Sequence, residues 1–313
     1  MNARLDEQRL FCFGFGFTSL ALSKRLLSAG WAVSGACTSS EKAESLKRSG
    51  VDAHAWDPDN GVGLDVAGRS ALLSATCVLS SVPPKGDADA DQVLSLHRDD
   101  LIACASASGE RRPLRWAGYL CSTGVYGDAD GAEVDEESPL LVTPASGKAW
   151  PRAQAEAAWL ALHDCGVPVH SFRLGGIYGP GRSILDSLRG APPSALQAAR
   201  RDKRHIARVH VADIVAALVA SMCVPRSGRV YNVVDDDPSP RAVVAAFAAA
   251  LLAGGDADGA AEEAGREQVG RGARDDKRVS NDRMKRELGV ALRYPTYREG
   301  LRAIAGGDKA PFG

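Results

Sequence analysis

The segment Gly14-Phe15-Gly16-Phe17-Thr18-Ser19 carries the most specific chemistry in the chain. It follows an apolar run, Arg9-Leu10-Phe11-Cys12-Phe13, and opens a stretch with helical spacing. Where a strand turns into a helix in this way, the first glycine permits the tight turn. The second lets the backbone approach a pyrophosphate, which then rests on the unpaired N–H groups of the helix N-terminus. Gly14 and Gly16, with Phe17 and Thr18 in the first helical turn, are therefore candidates for holding a dinucleotide. A purely structural glycine turn is the alternative. The third small position is Ser19, where glycine is usual; serine is still small enough for close helix–strand packing.

A second group lies about 20 residues further on, in Cys37-Thr38-Ser39-Ser40-Glu41-Lys42. A site for NAD places Asp or Glu at the tip of the second strand, to bind the ribose 2′-hydroxyl. Here the hydroxyl residues Thr38, Ser39 and Ser40 hold the tip, and Lys42 follows. Hydroxyls and an ammonium group suit a 2′-phosphate. The expected cofactor is NADP, with NAD as the alternative because Glu41 is close. Metal chemistry has little support. The six histidines are scattered, and the seven cysteines include no CxxC pair. Cys12, Cys37, Cys77 and Cys121 sit in or beside apolar runs and read as buried free thiols of a reducing compartment.

These groups need a frame. Leu20 to Ser28, Glu41 to Arg48, Gln92 to Ala107 and Ala153 to Asp164 have helical spacing. Between them, Trp31 to Cys37, Val51 to Trp56, Cys77 to Ser81, Leu114 to Cys121 and Val169 to Leu174 read as strands. Alternating strands and helices predict a parallel sheet covered on both faces, and right-handed crossovers make it doubly wound. The expected fold is thus α/β, a Rossmann-type doubly wound parallel sheet with a smaller C-terminal substrate lobe. Residues 1–174 with 207–234 form the expected dinucleotide domain, and 175–206 with 235–313 the lobe. Residues 254–278, rich in Gly, Ala and charge, read as a mobile insertion within it. The chain has 313 residues, 45% hydrophobic and 25% charged, enough to bury a sizeable core. A formal net charge of −1 gives no field to draw in nucleic acid or an anionic membrane. No apolar run approaches the ~20 residues of a membrane span. Met1 to Arg9 lacks the layout of a signal peptide. The expected setting is cytoplasmic, and the expected partner a small-molecule substrate.

Several segments, in order, resemble the extended and atypical short-chain dehydrogenase/reductases, in particular an epimerase/dehydratase-like (nucleoside-diphosphate-sugar epimerase-like) subgroup. They are Tyr119 to Gly127, Val134 to Leu140, Phe172 to Arg182, Arg208 to Asp213, Tyr231 to Val233 and Tyr294 to Leu301. The resemblance implies that Ser122 is the catalytic serine that hydrogen-bonds the reacting oxygen and borders the cofactor. It implies that Ser81, Val82 and Pro83 border the cofactor, and that Gly176, Ile177 and Tyr178 lie beside the nicotinamide. The family also carries a Tyr and, four residues later, a Lys that lowers the tyrosine's pKa for proton transfer. In this chain those places fall on Lys148 and Arg152, and no tyrosine lies between Gly127 and Tyr178. Arginine stays protonated and is no base. Lys148 could serve only if burial beside Arg152 depressed its pKa. Tyr126, Tyr178 and water are the other stand-ins.

Two functions therefore compete on sequence. One is an NAD(P)-dependent oxidoreductase or epimerase acting on a hydroxyl-bearing, nucleotide-sugar-like substrate. The other is a non-catalytic NAD(P)-binding sensor or scaffold, which the missing tyrosine favours. The bland alternatives are that Ser122 only ends a strand, Tyr126 packs under its loop and Lys148 is solvated. Asp213 fits a helix N-cap. Arg182 is placed to reach a ligand anion. Arg173 and Arg208 are candidates for either a structural anchor or a ligand phosphate.

Overall fold

Short, wholly buried apolar runs separated by helices leave a parallel sheet as the way to pair every backbone polar group. The computed structural model describes residues 8–85, 91–106, 113–190, 204–267 and 276–312. Its strands are β1 (Arg9–Phe13), β2 (Ala32–Cys37), β3 (Asp52–Ala55), β4 (Cys77–Ser80), β5 (Trp116–Ser122) and β6 (Glu133–Val134), followed by β7 (Val169–Leu174), β8 (Gly176–Tyr178), β9 (Arg208–His210), β10 (Arg229–Val233) and β11 (Arg278–Val279). Helices α1 (Phe17–Leu27), α2 (Ser40–Arg48), α3 (Val66–Leu73), α4 (Gln92–Ala105) and α5 (Ala149–Leu160) alternate with the strands of the first half. The second half adds α6 (Ile184–Arg189), α7 (Val211–Cys223), α8 (Arg241–Leu252), α9 (Ala257–Glu267), α10 (Asp282–Leu288) and α11 (Tyr297–Ala305).

Seven strands form one sheet in the order β3-β2-β1-β4-β5-β7-β10. The pairs of β1 with β2 and β4, β2 with β3, and β4 with β5 are parallel. β7 lies beside β5, where Ala117 N–H donates to Pro168 O (2.9 Å). β10 follows, since Gly228 N–H meets Val169 O and Gly175 N–H meets Val233 O. The strand order reverses at β1/β4, as a doubly wound sheet requires. Among the described residues no helix is long and apolar enough to cross a membrane.

Residue contacts divide the chain into two units. The first comprises Met1–Ser122, Thr143–Arg173 and Leu218–Tyr231; the second comprises Thr123–Val142, Leu174–Ala217 and Asn232–Gly313. The expected boundaries put 123–142 in the first unit. The structure groups that loop with the second, where Tyr126 Oη donates to Asn232 Oδ1 (2.7 Å) and Asn232 N–H to Glu136 Oε1 (2.7 Å). In the first unit Tyr119 stacks on Trp159 with centroids 5.6 Å apart. The indole N–H of Trp116 is satisfied by Ser221 Oγ at 2.9 Å. The second unit has its own core, with Tyr178, Leu185, Phe247, Tyr297 and Leu301 at its centre.

One expectation is corrected here. Residues 257–267, read as part of a mobile insertion, form α9. Ala257 and Ala261, one helical turn apart, are buried in the second core, and Asp256 accepts the N–H of Gly259 at the helix start. Alanine buries too little surface to show a helical stripe in the sequence, yet it lets α9 lie close to α8. Residues 268–275 of the same stretch lie outside the described residues.

Candidate functional site

The glycine turn sits at the C-terminal end of β1. Gly14 has φ +83°, and a Cβ there would stand 3.1 Å from Ser81 Oγ and 3.2 Å from Val82 Cγ2. Conformation and space both demand glycine. Gly16 is different. It is the N-cap of α1, with φ −79° and no side-chain cap, and a Cβ on it would meet nothing within 4 Å. An eleven-residue helix thus starts without a side-chain cap and with open space at the Gly16 Cβ position, a setting that suits an anion. Phe17 is half-buried, and the side chains of Thr18 and Ser19 point inward. Thr18 can therefore offer a ligand its backbone N–H but not its hydroxyl. Ser19 donates to Ser81 Oγ (2.8 Å), and Ser81 donates onward to Gly14 O (3.0 Å). The third small position is thus a hydrogen-bonded tie from α1 to the turn after β4, a role that side-chain size alone does not suggest. Val82 is half-buried and Pro83 exposed on that turn.

At the tip of β2, Thr38, Ser39 and Ser40 are exposed. Ser39 Oγ accepts Lys42 N–H (3.3 Å) and so caps α2. The Lys42 ammonium reaches across to donate to Phe15 O, inside the glycine turn, at 2.7 Å. A positive charge and a row of hydroxyls are therefore brought to the turn by local structure.

At the other end of the first unit, β5 finishes at Ser122, which is half-buried. The Cys121 thiol donates to Arg152 O (3.9 Å), which fixes the first turn of α5 against the strand end. Arg152 is half-buried, whereas Lys148 is exposed at the N-cap of α5. The burial that a Lys148 proton carrier requires is absent, and that expectation is corrected. Further along α5, Glu156 is 2% exposed and pairs in a fork with Arg173, at 3.0 and 3.1 Å from Nε and 2.8 Å from Nη2. It also accepts the Ser171 hydroxyl at 2.6 Å. Arg173 is thereby a structural anchor.

In the second unit both tyrosine stand-ins are buried. Tyr126 is fully buried and its hydroxyl is held by Asn232. Tyr178 lies edge-on to His210, 5.1 Å between centroids, and its hydroxyl donates to Thr296 O (3.4 Å). Burial, then the nearby Asp235 and Asp213, push that phenol well above its usual range. β8 itself, Gly176 to Tyr178, pairs in parallel with β9. Gly176 is exposed and Ile177 half-buried.

The helix cap also moves. His210 Nδ1 accepts Ala212 N–H (3.1 Å) at the start of α7, so the cap is His210 and not Asp213. Asp213 instead accepts the N–H groups of Arg293 (2.6 Å) and Tyr294 (3.1 Å). Burial keeps the His210 imidazole neutral, its pKa lowered to about 4. Arg208 and Arg182 line a cavity of about 560 Å³ within this unit, together with Arg241, Ser187 and Tyr297. Among the described residues no group of three or more His, Cys, Asp or Glu could hold a metal ion.

The sheet order, with a glycine turn leaving β1 into α1, defines a Rossmann-type fold, which solved epimerase and dehydratase structures share. No protein-family model matches the chain. It is 36% identical to a functionally unknown conserved protein from Silicibacter pomeroyi DSS, with a TM-score of 0.75 over 97% of this chain and 100% of that one. The chain belongs to the family of that protein. Protein YeeZ of Escherichia coli (strain K12) is 26% identical over 221 residues, 70% of this chain and 75% of YeeZ. Human epimerase family protein SDR39U1, solved with NADPH, is 19% identical with a TM-score of 0.61, covering 96% of this chain and 100% of its own. Other solved structures with this fold, a dTDP-glucose 4,6-dehydratase and a UDP-glucuronic acid 4-epimerase among them, are complexes with NAD. These last three neighbours were thus solved with a nicotinamide dinucleotide of one kind or the other.

Proposed function

We propose that the chain binds a nicotinamide dinucleotide on the first turn of α1, prefers NADP to NAD, and acts as an oxidoreductase or epimerase on a hydroxyl-bearing, nucleotide-sugar-like small molecule. The observation that carries this is the open space at Gly16, before an uncapped helix N-terminus. The turn's N–H groups take the pyrophosphate. Thr38, Ser39, Ser40 and Lys42 take the 2′-phosphate, with no acid at the strand tip to repel it. When bound, the cofactor supplies or accepts a hydride at nicotinamide C4. Ser122 orients the reacting oxygen, and Arg152 keeps a fixed positive charge at the end of β5. Tyr126 and Tyr178 are buried and Lys148 is exposed, and in this reading water carries the proton.

The same three placements favour a second reading, a sensor or scaffold that binds the dinucleotide without turnover. Fluorescence titration with NADPH and NADH comes first, followed by a panel of nucleotide sugars and simpler alcohols assayed for reduced cofactor and for product isomers. Turnover that Ser122→Ala abolishes supports the enzyme. Tight binding with no turnover across the panel supports the second reading, and binding of neither dinucleotide overturns both.

A further inference from the structure

Helix α4 departs from helical geometry at one residue, His97, with φ −134° and ψ 16°. A kink without proline calls for a side-chain cause, and His97 is held at both ring nitrogens. Nε2 lies 3.1 Å from the main-chain N of Leu64, in the loop between β3 and α3. A backbone N–H can only donate, so Nε2 is the acceptor and the ring proton sits on Nδ1. Nδ1 donates it to Asp100 Oδ2 (2.9 Å), and Arg69 of α3 donates to the other carboxylate oxygen (2.8 Å). His97 and Asp100 are both buried. Gly63 lets the loop come this close to the ring. A Cβ there would stand 3.1 Å from His97 Cε1 and 3.2 Å from Nε2.

The loop that His97 holds starts beside the dinucleotide turn. Trp56 N–H donates to Cys37 O (3.0 Å), directly before Thr38 at the tip of β2. The His97 ring packs on Phe13, the residue before Gly14, with centroids 5.6 Å apart, and on Trp56 at 6.0 Å. Further along the loop, Asp59 accepts two bonds from the Lys85 ammonium (2.6 and 2.7 Å) and one from Gln92 (2.7 Å). Lys85 follows the turn whose Val82 lies 3.2 Å from a Cβ placed on Gly14. His97 therefore reaches the glycine turn by two routes, through its ring on Phe13 and through the loop to Lys85. We propose that His97 is a positioning residue for the adenosine end of the dinucleotide, pinning the 56–65 loop beside the tip of β2, where the reading above puts the 2′-phosphate.

In this role His97 touches no ligand. A loop left unpinned has to be ordered when the ligand arrives, and that cost comes out of the affinity. With Leu64 held by His97 and Asp59 by Lys85, the ordering is completed on folding. A histidine that only stabilised the core would change the melting temperature and leave the affinity of the folded protein untouched.

The test uses the full chain, with calorimetric titration of NADPH and of adenosine 2′,5′-bisphosphate well below the melting temperature of each variant. His97→Phe keeps the ring on Phe13 and removes the acceptor. It should weaken both ligands about five- to tenfold, the worth of roughly one hydrogen bond. His97→Gln keeps an acceptor near the place of Nε2 and loses the bond to Asp100. It should melt lower than wild type yet bind both ligands within about twofold of it. Gly63→Ala, on the half-buried loop, pushes the chain off an intact His97 and should weaken both ligands as His97→Phe does. It decides the matter where His97→Phe does not fold. Wild-type affinity in folded His97→Phe or in Gly63→Ala overturns the proposal, as does an equal loss in the Phe and Gln variants. In each of those outcomes the wild type still binds NADPH and the dinucleotide reading stands. A wild type that binds neither ligand overturns both.

Discussion

Two glycines, two residues apart, should fail in different ways when replaced. Gly16→Val puts a β-branched side chain where a Cβ meets nothing within 4 Å, on a backbone with φ −79° and ψ −174° that valine adopts freely. An N-cap prefers small or hydroxyl residues over valine by up to about 1 kcal/mol. The apo protein should thus lose no more than about 4 °C in melting temperature. The added methyls instead occupy the space in front of the α1 N–H groups. A pyrophosphate held there must retreat, and dinucleotide affinity should fall at least ~100-fold, about 2.7 kcal/mol. Gly14→Ala is the converse. At φ +83° an alanine carries about 1–2 kcal/mol of left-handed strain. Its Cβ also meets Ser81 Oγ at 3.1 Å and Val82 Cγ2 at 3.2 Å. The apo melting temperature should drop by several degrees even without ligand. Differential scanning fluorimetry with and without NADPH, beside fluorescence titration, separates the two effects. Unchanged NADPH affinity in folded Gly16→Val would refute the placement of the pyrophosphate on this helix end.

The remaining expectations concern charge. Lys42→Ala should weaken NADPH by about tenfold, in line with a charge-assisted hydrogen bond of roughly 1.5 kcal/mol, and leave NADH unchanged; equal losses for both would assign Lys42 to the turn alone. Glu156→Gln strands Arg173 in a site where the two side chains are 2% and 6% exposed, and chemical denaturation should show a loss of about 3 kcal/mol or more. His170 is buried, accepts Arg226 N–H (2.8 Å) and is held down to about 4. Its folded pKa lies below the unfolded one, so its contribution is present above the unfolded value and is lost as pH falls. Between pH 7 and pH 4.5 the wild type should lose about 2 kcal/mol more than His170→Gln, and parallel stability–pH curves would exclude a neutral buried imidazole.

The sheet is legible in the sequence because its strands are buried on both faces. Cys77 to Ser80 and Val169 to Leu174 are wholly buried, and an apolar run of that length between helical patterns fits little besides a central parallel strand. β8 is not legible. It is three residues long, and its partner Arg208–His210 lies some thirty positions away, so nothing local marks it. The residue pattern starts α5 too late, at Ala153 instead of Ala149, and so leaves Pro151 outside the helix. In the first turn proline removes only an N–H that has no helical partner. α9 escapes notice for want of large apolar residues. For β8 the deciding interaction is between segments distant in sequence.

The same divide runs through the site. Gly14 is legible because a left-handed turn admits almost no other residue, so chemistry and position coincide at one letter. A lysine or tyrosine has no such constraint, and its role depends on what surrounds it. Tyr126 becomes a buried hydrogen-bond donor through Asn232, more than one hundred residues later, and Lys148 becomes solvent-facing through its place at a helix end. Arg173 and Arg208 look alike in sequence, each in a strand and each within a family-like motif. One meets a carboxylate and is spent on the fold; the other meets two carbonyls and a cavity. That difference in partners, and no feature of the residue type, is what separates the two arginines.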